Sequence, residues 1–149
     1  MKYEYGKGFS ITTTKTDDVP IENYTNCELE LVGSGVDESN AGATQCPEEH
    51  WNWGYVLSAG KPTVSGNVYT WTWNSVILKA EGFKIRTINA LESGGVGGFD
   101  LGYGAVNTAS SPGVVENEGN IKVSEAGNYK IIVTIDAAAD TKKIVITKL

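Results

Sequence analysis

The chain has 149 residues, of which 12 are Lys or Arg and 18 are Asp or Glu, so its net charge is −6. Its length fits one domain with a substantial core, and its 18 Gly, seven Tyr and four Trp favour many short strands with tight turns. The negative charge opposes non-specific binding to phosphate backbones and anionic lipid surfaces, so we expect no nucleic acid partner.

The N-terminal 20 residues are polar and rich in threonine. We predict a leader or linker over residues 1–20, in which FSITTT is able to form one short strand before Pro20. A single β-sandwich domain is predicted over residues 21–149. The start MKYEYGKGFS lacks the apolar core of a signal peptide, and no run of about 18 apolar residues occurs, so we expect any export signal or lipid anchor in a longer precursor.

The stretch CELELVGSG predicts the first strand of the domain, because Cys27, Leu29 and Leu31 alternate with other residues and glycines end the run. Cys27 and Cys46 leave two alternatives open. They could form a disulfide around the intervening loop, worth roughly 3 kcal/mol in the chain-entropy model. They could instead be two buried thiols, as the apolar alternation at Cys27 suggests.

A long loop is predicted over residues 36–54, which have no sustained hydrophobic period and are dense in Asn, Glu, Gly and Pro. Loops of this length are usually functional or disordered. Trp51 and Trp53 favour a function, because an indole is stabilised most by resting on a surface. After the loop, YVLSAGKPTVSG predicts one weak edge strand.

The central stretch, residues 66–87, predicts two neighbouring antiparallel strands joined by a polar turn at 79–82. Tyr69, Trp71 and Trp73 alternate with threonines, so they share one face of the first strand, and we assign Trp71 to the core.

In the second central strand, Phe83 and Ile85 alternate with Lys84 and Arg86. Burying the apolar pair turns the two cations toward water or a ligand.

The remainder of the chain also has strand patterns. We predict one short strand in the glycine-rich segment, where Phe99, Leu101 and Tyr103 alternate, and three strands with two turns over residues 120–149. The resulting fold class is all-β: an antiparallel two-sheet β-sandwich of immunoglobulin-like or carbohydrate-binding-module-like type, with about eight strands.

The sequence contains few of the residue combinations that form common catalytic sites. The single histidine, His50, excludes a multi-histidine metal centre and would have to be the base of any Ser-His-Asp triad. GGVGG and GKG lack the strand-then-helix context of phosphate loops, and Asp37, Glu38 and Asn40 match no calcium-loop pattern. We therefore expect no enzyme activity, no metal and no cofactor.

Aromatic residues with nearby polar groups favour carbohydrate binding. A sugar ring has an apolar C–H face and a polar rim, so its site needs exposed aromatic planes beside hydrogen-bond donors. Trp51 and Trp53 could supply the planes, and Lys84, Arg86 and Asn89 the donors. Alternatively, one tryptophan plugs the end of the sandwich and the cations are solvated.

An ordered set of stretches over about residues 27–149 resembles a known family. The set is LVGSG, a loop with tryptophan, GNVYTWTWNSVILKAEGFKIR, FDLGYG within a glycine-rich loop, and NIKVSEAGNYKIIVTID. It resembles the repeated domains of the SusE/SusF-type outer-membrane proteins, which are surface glycan-binding lipoproteins of the starch-utilisation systems of Bacteroidetes. The ordered set, rather than any single motif, carries this resemblance.

The resemblance implies a non-catalytic β-sandwich that is displayed on the cell outer membrane as part of a lipid-anchored protein. It would capture a polysaccharide or oligosaccharide, with starch-like α-glucan favoured, for an outer-membrane transporter complex of the same utilisation system. We expect a monomer for the isolated chain. The second hypothesis is a structural spacer or adhesion β-sandwich without a sugar site.

The family's site residues carry over in part. A tryptophan in the loop after the LVG strand gives Trp51 or Trp53 as the first aromatic ring, and Lys84, Arg86 and Asn89 are then the polar contacts. Relatives often have a second ring where this chain has Leu91, so the resemblance leaves Tyr103 as the substitute, or else a lost or altered site.

Overall fold

The computed structural model of this chain describes residues 21–46, 53–88 and 98–149. The predicted leader or linker over 1–20 lies outside them. The described residues form eleven strands: β1 (Leu29–Gly33), β2 (Thr44–Gln45), β3 (Tyr55–Gly60), β4 (Thr63–Ser65), β5 (Val68–Leu78), β6 (Lys84–Thr87), β7 (Asp100–Leu101), β8 (Val114–Asn117), β9 (Asn120–Val123), β10 (Gly127–Asp136) and β11 (Thr141–Lys148).

Two antiparallel sheets make up the sandwich. One sheet has five strands in the order β2-β3-β1-β6-β7, the other has four in the order β11-β10-β5-β4, and β8 and β9 form a separate hairpin. The predicted all-β sandwich is therefore confirmed. The strand count exceeds eight because strands as short as β2, β4 and β7 are too brief for any hydrophobic period to reveal. Across the described residues, no helix is long and apolar enough to cross a membrane.

The core forms where the inner faces of the two sheets meet, and it contains the alternating residues that the sequence assigns to it. Tyr69, Trp71 and Trp73 of β5 are buried, with Trp71 only 1% exposed. Each core indole also reaches across the sandwich: Trp71 Nε1 donates to the Cys27 carbonyl at 2.9 Å, and Trp73 Nε1 donates to the Leu57 carbonyl at 3.0 Å. These bonds join β5 to β3 of the opposite sheet and to the segment just before β1.

The prediction that β5 and β6 are neighbouring strands is wrong. β5 lies in the four-stranded sheet and β6 in the five-stranded sheet, so residues 79–82 cross between the sheets. This crossing is held by Gly35, whose carbonyl accepts from Lys79 N at 2.8 Å and whose N–H donates to the Gly82 carbonyl at 2.9 Å. Alternation fixes which face of a strand is buried, but it does not identify the strand's partner.

The single weak edge strand predicted after the long loop is also corrected. Its residues form two strands: β3, which lies between β1 and β2, and β4, which lies at the edge of the opposite sheet. The glycine-rich segment likewise differs, because it contains both β7 and β8, and Tyr103 begins a short 3-10 turn. The three predicted C-terminal strands are confirmed as β9, β10 and β11.

The cysteines lie in two separate clusters. Cys27 belongs to the main core, whereas Cys46 packs with Val32 and Val56 on the other side of the five-stranded sheet. Both are buried thiols, the second of the two alternatives. Burial, assisted by the nearby Glu28 carboxylate, raises the pKa of the Cys27 thiol to about 11.

We expect the native protein to resist thiol reagents. At pH 8, a pKa of about 11 leaves roughly one Cys27 thiol in a thousand as the reactive thiolate, and burial further limits access. Titration with a chromogenic disulfide reagent should detect two thiols in concentrated urea without reductant, and almost none beforehand. Silence of both cysteines in urea would instead show a disulfide.

Replacing the core indole of Trp71 should cost more stability than replacing the indole of Trp53. Trp71→Phe should lower the free energy of unfolding by about 2–4 kcal/mol, because it leaves a cavity and an unpaired carbonyl at Cys27. Trp53→Phe, at a partly buried position, should cost less than about 1 kcal/mol. Urea denaturation measures both, and equal losses would contradict the special role of Trp71.

Candidate functional site

The two predicted cations project from β6 but already have carboxylate partners. Arg86 Nε donates to Glu30 Oε2 at 2.6 Å, and only 16% of the Arg86 side chain and 11% of the Glu30 side chain are exposed. Lys84 Nζ donates to Asp100 Oδ2 at 2.9 Å in a more open position. Glu30 lies directly opposite Arg86 in the register of β1 and β6. Asp100 on β7 also lies opposite Arg86, so Lys84 reaches it diagonally. The cations are thus neither simply solvated nor unpaired.

A cleft of about 450 Å³ lies beside these ion pairs. Its lining includes Lys84, Arg86, Asp100 and Phe99. The Phe99 ring is itself engaged, because Lys142 Nζ lies 5.4 Å from its centroid and the Tyr24 ring packs edge-on at 6.1 Å. This cleft, which we call the ion-pair cleft, therefore has mostly satisfied charges.

Trp53 lies on the outer face of the five-stranded sheet, the face turned away from the four-stranded sheet. Its indole is partly buried against Val32, Cys46 and Val56. Gly54 makes this placement possible: its φ is +68°, and a Cβ there would lie 2.3 Å from the Gly33 carbonyl oxygen. Only glycine fits so close an approach of two backbones. Gly54 therefore fixes the backbone position of its neighbour Trp53, from which the indole extends.

A groove of about 350 Å³ opens beside this ring. We call it the indole groove, and its lining residues are Ser34, Trp53, Ala80, Glu81, Gly82, Asn117, Glu118, Asn120 and Lys122. Gly82 lies where the walls converge. A Cβ at Gly82 would be 3.0 Å from Asn117 Nδ2, 3.5 Å from Asn120 Cβ and 3.6 Å from Trp53 Cζ2. The missing side chain at Gly82 keeps the groove open.

The β8–β9 hairpin forms the wall that faces the indole. It is held to the start of β6 by two backbone hydrogen bonds of 2.8 Å, Phe83 N to the Ile121 carbonyl and Ile121 N to the Phe83 carbonyl. Phe83 and Ile121 are both fully buried. This attachment brings the Asn117 amide and the Cβ of Asn120 close to Gly82, beside which Trp53 also lies.

The polar side chains of the indole groove differ from the cations of the ion-pair cleft in one respect. Within residues 21–46, 53–88 and 98–149, no hydrogen bond or ion pair is formed by the side chains of Ser34, Glu81, Asn117, Glu118, Asn120 or Lys122. Amide groups donate and accept, carboxylates accept and the ammonium group donates. The groove therefore presents an aromatic surface with uncommitted donors and acceptors, which suits a polar ligand with one apolar face.

The predicted site residues are only partly brought together. Val32, on which Trp53 packs, faces Lys84 across the β1–β6 pair, so the indole and the cations share the outer sheet face. They line different depressions, however. Tyr103 packs partly buried against the main core and lines neither depression. Trp51, His50 and Asn89 lie outside the described residues.

The hairpin residues of the groove were missed by sequence reasoning. A signal exists in VVENEGNIKV, where Glu118 and Gly119 separate two short runs suited to strands, as in a two-residue hairpin loop. That pattern could have predicted the hairpin. It could not have shown that the hairpin faces Trp53, which is more than sixty residues earlier in the chain.

The acidic loop considered for calcium has a structural role instead. The Asn40 side chain accepts from Ile77 N at 2.7 Å and donates to the Ile77 carbonyl at 2.9 Å, so it takes the place of a neighbouring strand at β5. Asp37 Oδ1 accepts from Ser39 N at 2.8 Å. In the described part of the chain, no group of three or more His, Cys, Asp and Glu side chains is arranged to hold a metal ion.

Comparison of this chain with models of protein families, with curated proteins and with solved structures finds no match. The resemblance to SusE/SusF-type domains therefore stays a prediction from the residue pattern.

The ion pairs lead to a stability prediction. Arg86→Met should lower the free energy of unfolding by about 2–4 kcal/mol, because it leaves the Glu30 carboxylate buried without a partner. Lys84→Met should change it by less than about 1 kcal/mol, since the Lys84 pair is more exposed. Urea denaturation measures both. A double variant, Glu30→Leu with Arg86→Met, should recover most of the loss; failure to recover would mean that Arg86 has a different structural role.

Proposed function

We propose that this chain is a non-catalytic carbohydrate-binding domain, and that a sugar residue binds in the indole groove against Trp53. One observation carries the proposal: a partly buried indole, the uncommitted amide of Asn117 and the side chain of Asn120 converge on the open floor at Gly82. The indole suits the apolar face of a pyranose, and the amides can exchange hydrogen bonds with its hydroxyls.

The groove volume fits a weak site for a short portion of a glycan. About 350 Å³ lies near the lower end of the range for small-ligand pockets, roughly 300–1,000 Å³. One ring and a few polar contacts leave only about 4 kcal/mol of net binding free energy, which corresponds to a dissociation constant near 1 mM. Such affinity is useful when several domains bind one polymer together.

The sequence resemblance supplies the finer part of the proposal. It favours a starch-like α-glucan as ligand, the outer membrane surface as location within a lipid-anchored protein, and an outer-membrane transporter complex as recipient. The groove chemistry is compatible with this glycan but does not select it among neutral glycans.

A structural spacer or adhesion domain is the second candidate function. The observation in its favour is that Lys84 and Arg86 are committed to carboxylate partners, so the cations predicted to bind sugar instead stabilise the sheet. A spacer would bind no glycan at the indole groove.

Affinity electrophoresis through gels that contain amylopectin tests the proposal. Trp53→Ala should weaken retention roughly tenfold, because it removes the stacking surface. Gly82→Ala should also weaken retention, because its methyl group fills the floor of the groove. The variant should still fold, since the nearest group, the Asn117 side chain, can move aside. Lys84→Ala is the matched control on the same sheet face and should retain wild-type binding.

The outcomes separate the candidates. Retention lost in Lys84→Ala but kept in Trp53→Ala would place the sugar in the ion-pair cleft. A flat response of tryptophan fluorescence to maltoheptaose and to other neutral oligosaccharides, together with no retention in gels, would favour the spacer. Release of reducing sugar from amylopectin by the purified protein would overturn the non-catalytic assignment.

A further inference from the structure

In the hairpin turn at the edge of the indole groove, Glu118 adopts a backbone conformation that is unfavourable for glutamate. Asn117 pairs with Asn120, so the loop consists of Glu118 and Gly119, whose φ angles are +53° and +85°. Positive φ at both central residues is required by a type I′ turn, which Asn-Gly, Asp-Gly and Gly-Gly adopt readily. A glutamate in the left-handed region is strained, because its Cβ crowds the following carbonyl.

Glu118 is less suited to its backbone conformation than the other residue of this kind. Among the described residues, the other non-glycine residue with positive φ is Asp140, at +55° in the turn between β10 and β11. Aspartate tolerates this conformation far better than glutamate does. Strained backbone positions that persist beside a cavity are typical of functional sites, where the side chain is needed for a reason other than stability.

The Glu118 side chain has no structural role that would explain its presence. It is exposed, it lines the indole groove, and within the described residues it forms no hydrogen bond or ion pair. The turn would form more easily with Asn at this position. The presence of Glu118 is therefore explained by its carboxylate, which the turn holds at the edge of the groove.

The chemistry of a carboxylate selects the class of ligand. An ionised carboxylate only accepts hydrogen bonds, and its bonds with hydroxyl donors are stronger than those between neutral groups. The groove has two carboxylates, Glu81 and Glu118, against one ammonium group, Lys122, so its charge repels anions. Neutral sugars supply hydroxyl donors without added negative charge.

We infer that Glu118 is a ligand-contacting specificity residue, whose carboxylate accepts hydrogen bonds from hydroxyls of a neutral sugar stacked on Trp53. It directs the groove toward neutral glycans and against uronate-containing or sulfated ones. This inference rests on the proposed function of the groove.

The test combines a stability measurement with a binding measurement. Glu118→Asn creates the favoured Asn-Gly turn, so it should raise the melting temperature by about 3 °C. The same variant should weaken retention in neutral polysaccharide gels roughly tenfold, because the acceptor is shortened and uncharged. Glu118→Gln keeps the side-chain length and should also weaken retention. Asp140→Asn, at the other left-handed position, is the control and should change neither property appreciably.

The gels would contain amylopectin, dextran, xyloglucan or galactomannan as neutral probes, and polygalacturonate or chondroitin sulfate as anionic probes. Retention of the wild type by a neutral gel, weakened by both Glu118 variants, supports the inference. Retention that Trp53→Ala abolishes but Glu118→Gln leaves intact overturns it while the proposed function stands. Retention only by anionic gels also overturns the inference, and no retention in any gel overturns the proposed function together with it. A melting temperature lowered in Glu118→Asn would refute the argument from backbone strain.

Discussion

The structure depends on the two core indoles that connect its sheets. Trp71 and Trp73 are adjacent inward positions of β5, and each donates a hydrogen bond to a main-chain carbonyl of the opposite side, at Cys27 and Leu57. A buried indole N–H must find an acceptor, so these bonds restrict how the sheets can shift relative to each other. Because β5 and β6 lie in different sheets, this arrangement also fixes the crossing at residues 79–82, which forms part of the indole groove.

The central strand of the five-stranded sheet, β1, is buried on both faces. Leu29 and Leu31 face the core, whereas Val32 is covered by Trp53 and Glu30 is paired with Arg86. The outer face is therefore divided into an apolar end beside the indole and a charged end of ion pairs.

These two ends of the outer face have opposite chemical characters. In the ion-pair cleft, the cross-strand register places Glu30 opposite Arg86 and lets Lys84 reach Asp100 diagonally, so the charges are largely satisfied. In the indole groove, the polar groups come from a crossing segment and a hairpin. The hairpin register pairs Asn117 with Asn120 and Lys122 with Val115, so it places no carboxylate opposite a cation. Cross-strand ion pairs therefore stabilise the sheet at the ion-pair cleft, whereas the polar groups of the indole groove stay open to a ligand.

Local sequence pattern determined the faces of the long strands. A period of two places Tyr69, Trp71 and Trp73 on one side of β5, and alternation predicts the burial of Phe83 and Ile85, because successive side chains of a strand point to opposite faces. The all-β class and the three C-terminal strands followed for the same reason.

Tertiary structure alone decided which strands pair and which loops meet. Alternation carries no information about partners, so the separation of β5 from β6 and the interior position of β3 were not predictable. Trp53 was identifiable as a candidate from its loop, but Gly82 and Asn117 join it only through the attachment of Phe83 to Ile121. Contacts between segments so distant in sequence are set by how the two sheets pack, which no short stretch of the chain encodes.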